Sequence, residues 1–370
     1  MDEEEIHYHW TYTDAQSMIL CLAGTLSGCL SVFGSGSIIY SVLSDKKKLS
    51  RLYERYVMAV SCADIMVSLS YALGVYMVPS HTDMIWAFGN DVTCSFSSFL
   101  FTFIVAVSFA NANLALYFYF SVCRGWNDEY IAKHYERKMH VAASLLATTI
   151  ATIVVATKSG NPAVVGHLCV IEKYPPSCKL IDDVECTRGG NYVDLIWTII
   201  LLCQFISTVV AIAATVQVTR TVLRSTRRAH AAGSDAALRR QQRVMKQAVL
   251  YLCSYLNTLF WPFLLVALTS NTKVWEVHQL SAFLPPLLAG MFMPLQGLFN
   301  YFIFRRSSYK LCSCLLHREE TSTRDDQLPD SADNPTSGTS SSGFFGQVSK
   351  FFRPLDNKAG EPVQDDTASM

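Results

Sequence analysis

Residues 44–79 read SDKKKLSRLYERYVMAVSCADIMVSLSYALGVYMVP. Five basic residues, Lys46, Lys47, Lys48, Arg51 and Arg55, precede an apolar run whose one charged residue is Asp64. A helix needs about 20 apolar residues to cross roughly 30 Å of hydrocarbon, and short basic loops stay on the cytoplasmic side. The stretch therefore reads as a cytoplasmic loop feeding a membrane span. Outward from it the same pattern repeats, and seven spans are predicted over 15–43, 56–79, 94–123, 139–157, 192–219, 246–269 and 279–304. Lys and Arg fall at or beyond the ends of these spans, and the only carboxylates inside them are Asp64 and Asp194.

Charge segregation sets the orientation. Lys and Arg number 30, Asp and Glu number 30, and the charged share is 16%, below the roughly one quarter of soluble chains. A net charge of zero gives no sign of a nucleic-acid partner. Arg124, Lys133, Arg137 and Lys138 follow span 3, and TRTVLRSTRRAHAAGSDAALRRQQRVMKQ after span 5 holds eight basic residues. The segments before span 1 and after span 2 hold none. The odd loops are thus cytoplasmic, the N-terminus is outside and the C-terminus inside. The acidic start, MDEEEIHYHW, lacks the basic region of a cleaved signal peptide, so span 1 is expected to remain as an anchor. The expected fold is an all-α seven-transmembrane bundle over 15–304, preceded by a short outer segment, 1–14. A membrane-surface helix over 305–317 and a disordered cytoplasmic tail, 318–370, are expected after it.

Catalytic and metal-binding patterns are missing. The nine histidines form no HExxH, no Ser-His-Asp order or phosphate loop emerges, and span 7 has no lysine for a retinal Schiff base. Neither an enzyme nor a cofactor is expected. Asp64 is the strongest polar signal, because an intramembrane carboxylate is expensive and marks function by default. Gln296 lies at a similar depth in span 7, with Asn300 one turn lower. A buried polar switch of Asp64, Gln296 and Asn300, joined by Asn111 or Asn113 of span 3, is expected to hold water or a sodium ion and to repack between two states. Gly24 and Gly28, beside Ser27 and Ser31, suit close helix packing in span 1. Pro262, Pro285, Pro286 and Pro294 interrupt spans 6 and 7.

Cys94, Cys169, Cys178 and Cys186 fall in segments read as outside, where disulfides persist. Four cysteines allow three pairings. A bridge from the top of span 3 to the loop after span 4 would lay a lid over the bundle mouth. On the opposite face, Arg224, Arg227, Arg228, Arg239, Arg240 and Arg243, with Arg124, suit a groove for a partner helix, while lipid phosphates account for part of the charge. Cys312 and Cys314 follow span 7 as palmitoylation candidates. The Ser-rich tail suits phosphorylation and an arrestin-like regulator, and Phe344–Leu355 spaces its apolar residues for one more surface helix. Trp86, Tyr192, Trp197, Gln204, Trp261 and Trp275 are candidate pocket residues in the outer half.

WAFGNDVTC before span 3, NANLALYFYFSV ending it, LCVI, PPSC and CTRG after span 4 and PLQGLFNYFIF in span 7 recur in a consistent order. The series resembles G-protein-coupled receptors of the cyclic-AMP-receptor-like and secretin-like kind from microbial eukaryotes. The resemblance implies a Cys94–Cys169 pair and a heterotrimeric G-protein partner. It also implies an activation element of Pro294, Gly297 and Tyr301, flanked in span 6 by Trp261 and Pro262. Two departures, Cys123-Arg124-Gly125 where a rhodopsin-like chain ends span 3 with Asp/Glu-Arg-Tyr and Trp261 directly before Pro262, point away from a rhodopsin-like subfamily. The expected function is a plasma-membrane receptor for an extracellular ligand. A small-solute transporter and an uncoupled membrane scaffold are the alternatives; transporters carry internal repeats, and none is found here.

Overall fold

The computed structural model describes residues 12–82, 84–163, 167–175, 178, 185–232, 235–269 and 279–306. Span 1 is the helix Asp14–Leu43, span 2 Leu52–Leu73 continued by the 3-10 turn Gly74–Met77, and span 3 the pair Asp91–Thr102 and Ile104–Val122. Span 4 is Arg137–Ala156, span 5 Tyr192–Ala232 and span 6 Asp235–Thr269. Span 7 comes in two pieces, Gln279–Phe292 and Gln296–Arg306, bent by 41°. The helices are those expected, and those of spans 5 and 6 extend beyond the apolar runs. Both run well into the basic segment that joins them, because Arg, Ala and Gln are good helix formers wherever the bilayer no longer selects composition. The segment 305–317 beyond Arg306, the tail 318–370, Cys312, Cys314, Trp275 and the stretch 344–355 lie outside the described residues.

Local signals start the helices where they do. Thr13 and Gln16 form a capping box at span 1, with Thr13 N–H donating to Gln16 Oε1 at 2.9 Å, and Asn90 accepts from the N–H groups of Val92 and Thr93 at span 3. Each cap satisfies donors that the first helical turn leaves without partners.

The exterior and interior are inverted relative to a soluble protein. Phe33, Leu26, Leu145, Phe205 and Phe302 are exposed, whereas Ser31, Ser35, Ser61, Ser68, Ser98 and Ser108 are fully buried. A greasy outside and a hydroxyl-lined inside suit a hydrocarbon solvent, where helices associate through small residues and hydrogen bonds. Span 1 packs on spans 2 and 7, span 3 on spans 2, 4, 5 and 6, and span 6 between 5 and 7, closing a ring. Glycines set the closest approaches. A Cβ added at Gly28 would lie 2.7 Å from Ser68 O, and one at Gly34 would lie 2.7 Å from Gly297 O.

Between spans 4 and 5 the chain forms an antiparallel hairpin, β1 Gly160–Pro162 with β2 Cys169–Ile171, paired Pro162 to Cys169. It lies across the start of span 3, with Ser98 Oγ donating to Val170 O at 3.2 Å. Cys94–Cys169 and Cys178–Cys186 are disulfides. Arg188 pairs with Asp91 and Lys173 with Asp194, each at 2.7 Å, fastening this loop to spans 3 and 5. The hairpin thus forms a lid at one end of the bundle, opposite the arginine-bearing end.

Candidate functional site

Asp64 is 3% exposed and faces span 1 rather than the asparagines of span 3. Its Oδ2 accepts from Ser35 Oγ at 2.7 Å and Ser31 Oγ at 3.3 Å. Ser31 Oγ in turn accepts from the Gly297 N–H at 3.0 Å. This donor is one that the break in span 7 leaves without a helical acceptor, so the proline creates the gap that span 1 fills. A carboxylate, two hydroxyls and one backbone amide therefore tie spans 1, 2 and 7 at mid-depth.

Gln296 shares a space with Asp64 without bonding to it. The two line a cavity of about 20 Å³ with Ser108, Tyr255 and Thr258 on its polar side and Val67, Ile104, Val107, Leu259 and Met293 on its larger apolar side, and a cavity of this size has room for one water molecule. Gln296 Oε1 accepts from Thr258 Oγ1 at 3.3 Å, and Asn300 Oδ1 accepts from Ser254 Oγ at 3.2 Å. Their amide nitrogens, Gln296 Nε2 and Asn300 Nδ2, are buried with no partner among the described residues. Asn111 donates to Val107 O of its own helix at 2.8 Å and lines a separate, smaller cavity with Ala211, Tyr251 and Tyr255. The four expected switch residues are thus all buried in the bundle but divided among four hydrogen-bonded groups.

Ser31, Ser35, Ser254 and Thr258 escaped the sequence reading as polar partners. The signal was there for span 1, since Ser27, Ser31 and Ser35 repeat at a four-residue spacing that puts them on one helical face. A second polar cluster also went unread: Ser108 Oγ donates to Gln204 Oε1, and Tyr255 OH lies 3.5 Å from the same oxygen and 3.0 Å from Thr208 Oγ1. It joins spans 3, 5 and 6 across the cavity from Asp64.

Of the activation element, Pro294 lies in the break of span 7, Gly297 holds the amide just described, and Tyr301 accepts from Arg305 Nη1 at 2.7 Å. Trp261 stacks on Phe292 at 5.0 Å, joining span 6 to span 7 just above the break, and donates to Asn257 Oδ1 at 3.4 Å. Pro262 lies inside span 6. At the arginine-bearing end Arg224, Arg227 and Arg243 are exposed, and Arg228, Arg239 and Arg240 fall on the same two helical extensions. Arg124 is exposed beside them with its guanidinium 5.7 Å from the centre of the Trp126 ring. Of the pocket candidates, Trp197 donates to Ile171 O at 2.8 Å, Tyr192 is exposed and Trp86 packs beneath the lid.

Residues 34–291, more than half the chain, match the family model for the 7 transmembrane receptor (rhodopsin family). The chain belongs to the rhodopsin family of seven-transmembrane receptors. No curated protein matches it in sequence. The expectation that its departures set it apart from rhodopsin-like receptors is therefore overturned, because the match takes in spans 2 to 6 whole with parts of spans 1 and 7 and does not hang on two short motifs. In this rhodopsin-family receptor the end of span 3 is aromatic instead of charged. Tyr117 and Phe118 are buried there, and Phe120 stacks on Trp126 at 4.7 Å.

At the lid of the receptor, Tyr12 is buried with its ring 6.2 Å from both the His167 and Phe283 rings. Burial pushes the Tyr12 hydroxyl up to about 12 and holds the His167 imidazole down at about 4. Both side chains are therefore neutral at pH 7. The start of span 1, the hairpin and span 7 close over the bundle with uncharged rings.

Proposed function

We propose that this receptor carries an extracellular signal to a heterotrimeric G protein, with the lidded end outside and the arginine-bearing end in the cytoplasm of the plasma membrane. The observation that supports this most is the broken span 7. Its amide donors at Gln296 and Asn300 are buried without partners, next to a water-sized cavity bounded by Asp64. Such groups favour any rearrangement that gives them acceptors, so the interior is poised between two hydrogen-bonding arrangements. A ligand that favours one arrangement shifts the population toward it, and a cytoplasmic partner that selects the same arrangement reads the signal.

Arg224, Arg227 and Arg243 line the mouth through which that partner docks, with anionic lipid phosphates sharing the charge. Asp64 and the cavity are a water or sodium site in this reading, and Cys312, Cys314 and the Ser-rich tail serve palmitoylation and an arrestin-like regulator. A finer kinship with cyclic-AMP-receptor-like and secretin-like members has for support only the short motifs around span 3, after span 4 and in span 7.

The test is nucleotide exchange on a panel of G proteins in membranes carrying the full chain. Exchange above that of empty membranes, lowered by reversing Arg224, Arg227 and Arg243 to Glu, is the expected result. No exchange with any G protein, together with measurable solute flux, would favour the transporter.

A further inference from the structure

Tyr53, at the start of span 2, and Tyr251, within span 6, bring their hydroxyl oxygens to 3.0 Å. Their rings meet edge to face at 6.5 Å, and the Tyr53 ring also lies 5.9 Å from Phe118 of span 3. Tyr251 is 3% exposed within an apolar cluster that includes Val57, Phe118, Val218, Ala248 and Phe304. The phenol pair is thus a directed polar contact inside a greasy plug at the arginine-bearing end. Two arginines of this end are held elsewhere: Arg124 lies over Trp126, and Arg55 is bound by Glu136.

We propose that the Tyr53–Tyr251 hydrogen bond is the latch that keeps the cytoplasmic end of this receptor closed, so that span 6 leaves span 2 only by breaking it. The inference rests on the signalling reading above, and it assigns closure to two phenols. An apolar cluster alone slides without much preference for register, whereas O–H···O geometry fixes one position of span 6 against span 2. The Tyr251 hydroxyl, buried in apolar surroundings, loses this partner if the helices part without water. Opening therefore requires water or a partner group to enter. Tyr251 lies eight residues beyond Arg243 on the same helix, about 12 Å at 1.5 Å per residue. A helix docked among the arginines reaches the latch, which couples partner binding to opening.

The experiment uses the full chain in lipid nanodiscs, with spin labels carried by non-natural residues at Lys47 and Gln242, and reads the distance between the ends of spans 2 and 6. Tyr53→Phe and Tyr251→Phe are each expected to raise the open-to-closed ratio about three- to tenfold, the worth of one buried neutral hydrogen bond. The double variant is expected to open no further than the larger single change. Tyr56→Phe, whose hydroxyl meets Met139 Sδ of span 4 instead, is expected to match the parent. Unchanged distances in both single variants would overturn the latch, as would multiplying effects in the double variant or equal opening by Tyr56→Phe. The readout needs no G protein, so a working latch without nucleotide exchange would sink the coupling reading alone.

Discussion

Gly297→Ala tests how tightly span 7 is drawn onto spans 1 and 2. The new Cβ would meet three side-chain oxygens, Ser35 Oγ, Asp64 Oδ2 and Ser31 Oγ, the last at 2.6 Å where ordinary contact begins at 3.4 Å. None can turn aside freely, because both serines donate to Asp64 and Ser31 also holds the Gly297 N–H. Span 7 has to step back, which costs about 1–3 kcal/mol for overpacking and about 1 kcal/mol for a weakened hydrogen bond. Alanine returns about 0.5–1 kcal/mol through its better helix propensity. The net loss is about 2 kcal/mol, which lowers the melting temperature by roughly 4–8 °C at 2–4 °C per kcal/mol. Tryptophan fluorescence of the protein in nanodiscs reads it. Gly36→Ala and Gly290→Ala serve as opposite controls, since an added Cβ there meets nothing within 4 Å; both should melt at or above the parent temperature. If Gly297→Ala melts no lower than these controls, the close approach of spans 1, 2 and 7 is wrong.

The Cys94–Cys169 bridge closes 75 residues of sequence and Cys178–Cys186 only 8. Replacing the first pair by alanine should therefore cost more, up to about 4 kcal/mol against about half that for the second by loop entropy, and equal melting shifts would contradict this. His167 gives a pH signature. Its folded value of about 4 lies below the usual 6.5, so between these values the unfolded chain binds a proton that the folded chain refuses. Stability should fall as pH drops from 6.5 toward 4 and level off below, by at most about 3 kcal/mol. In His167→Phe that part of the melting curve should flatten, and an unchanged slope would exclude His167 as its source. Arg55 meets both Glu136 oxygens, at 2.6 and 2.9 Å, from a partly buried position. A double-mutant cycle with alanine at each should show about 1–2 kcal/mol of coupling, and Arg55→Lys should lose most of it because an ammonium cannot match the fork.

Span number and approximate position were legible because the bilayer imposes a composition that a single sequence displays: long apolar runs with charges at their ends. How far the helices of spans 5 and 6 extend into the basic segment was not, since past the hydrocarbon only helix propensity marks where Arg-rich residues such as 224–243 stop. That Asp64 is buried inside the bundle was legible, because a carboxylate facing hydrocarbon is costly wherever it lies. Its partners were not, because the rotation of span 2 about its axis is decided by packing. Gly28 and Gly34 let span 1 approach closely enough for Ser31 and Ser35 to reach the carboxylate, and that approach excludes Gln296, Asn300 and Asn111 from it. The pair Tyr53 and Tyr251 lies 198 residues apart in sequence, and no periodicity within either helix announces it.

In hydrocarbon no hydrophobic force draws one helix to another, so cohesion falls to close backbone contact and polar side chains. The two are unevenly shared in this bundle. Spans 1 and 2 and the inner piece of span 7 meet through glycines, and Asp64 and Ser31 there each have two hydrogen-bonding partners. Span 6 meets span 7 through single bonds, Thr258 to Gln296 and Ser254 to Asn300, each leaving an amide nitrogen unmatched. Separating the first set breaks several bonds and opens a void, whereas separating the second breaks one bond per pair and frees donors that already lack acceptors. In the proposed switch, span 6 is therefore the element that moves, with spans 1 and 2 and the inner piece of span 7 as the fixed frame.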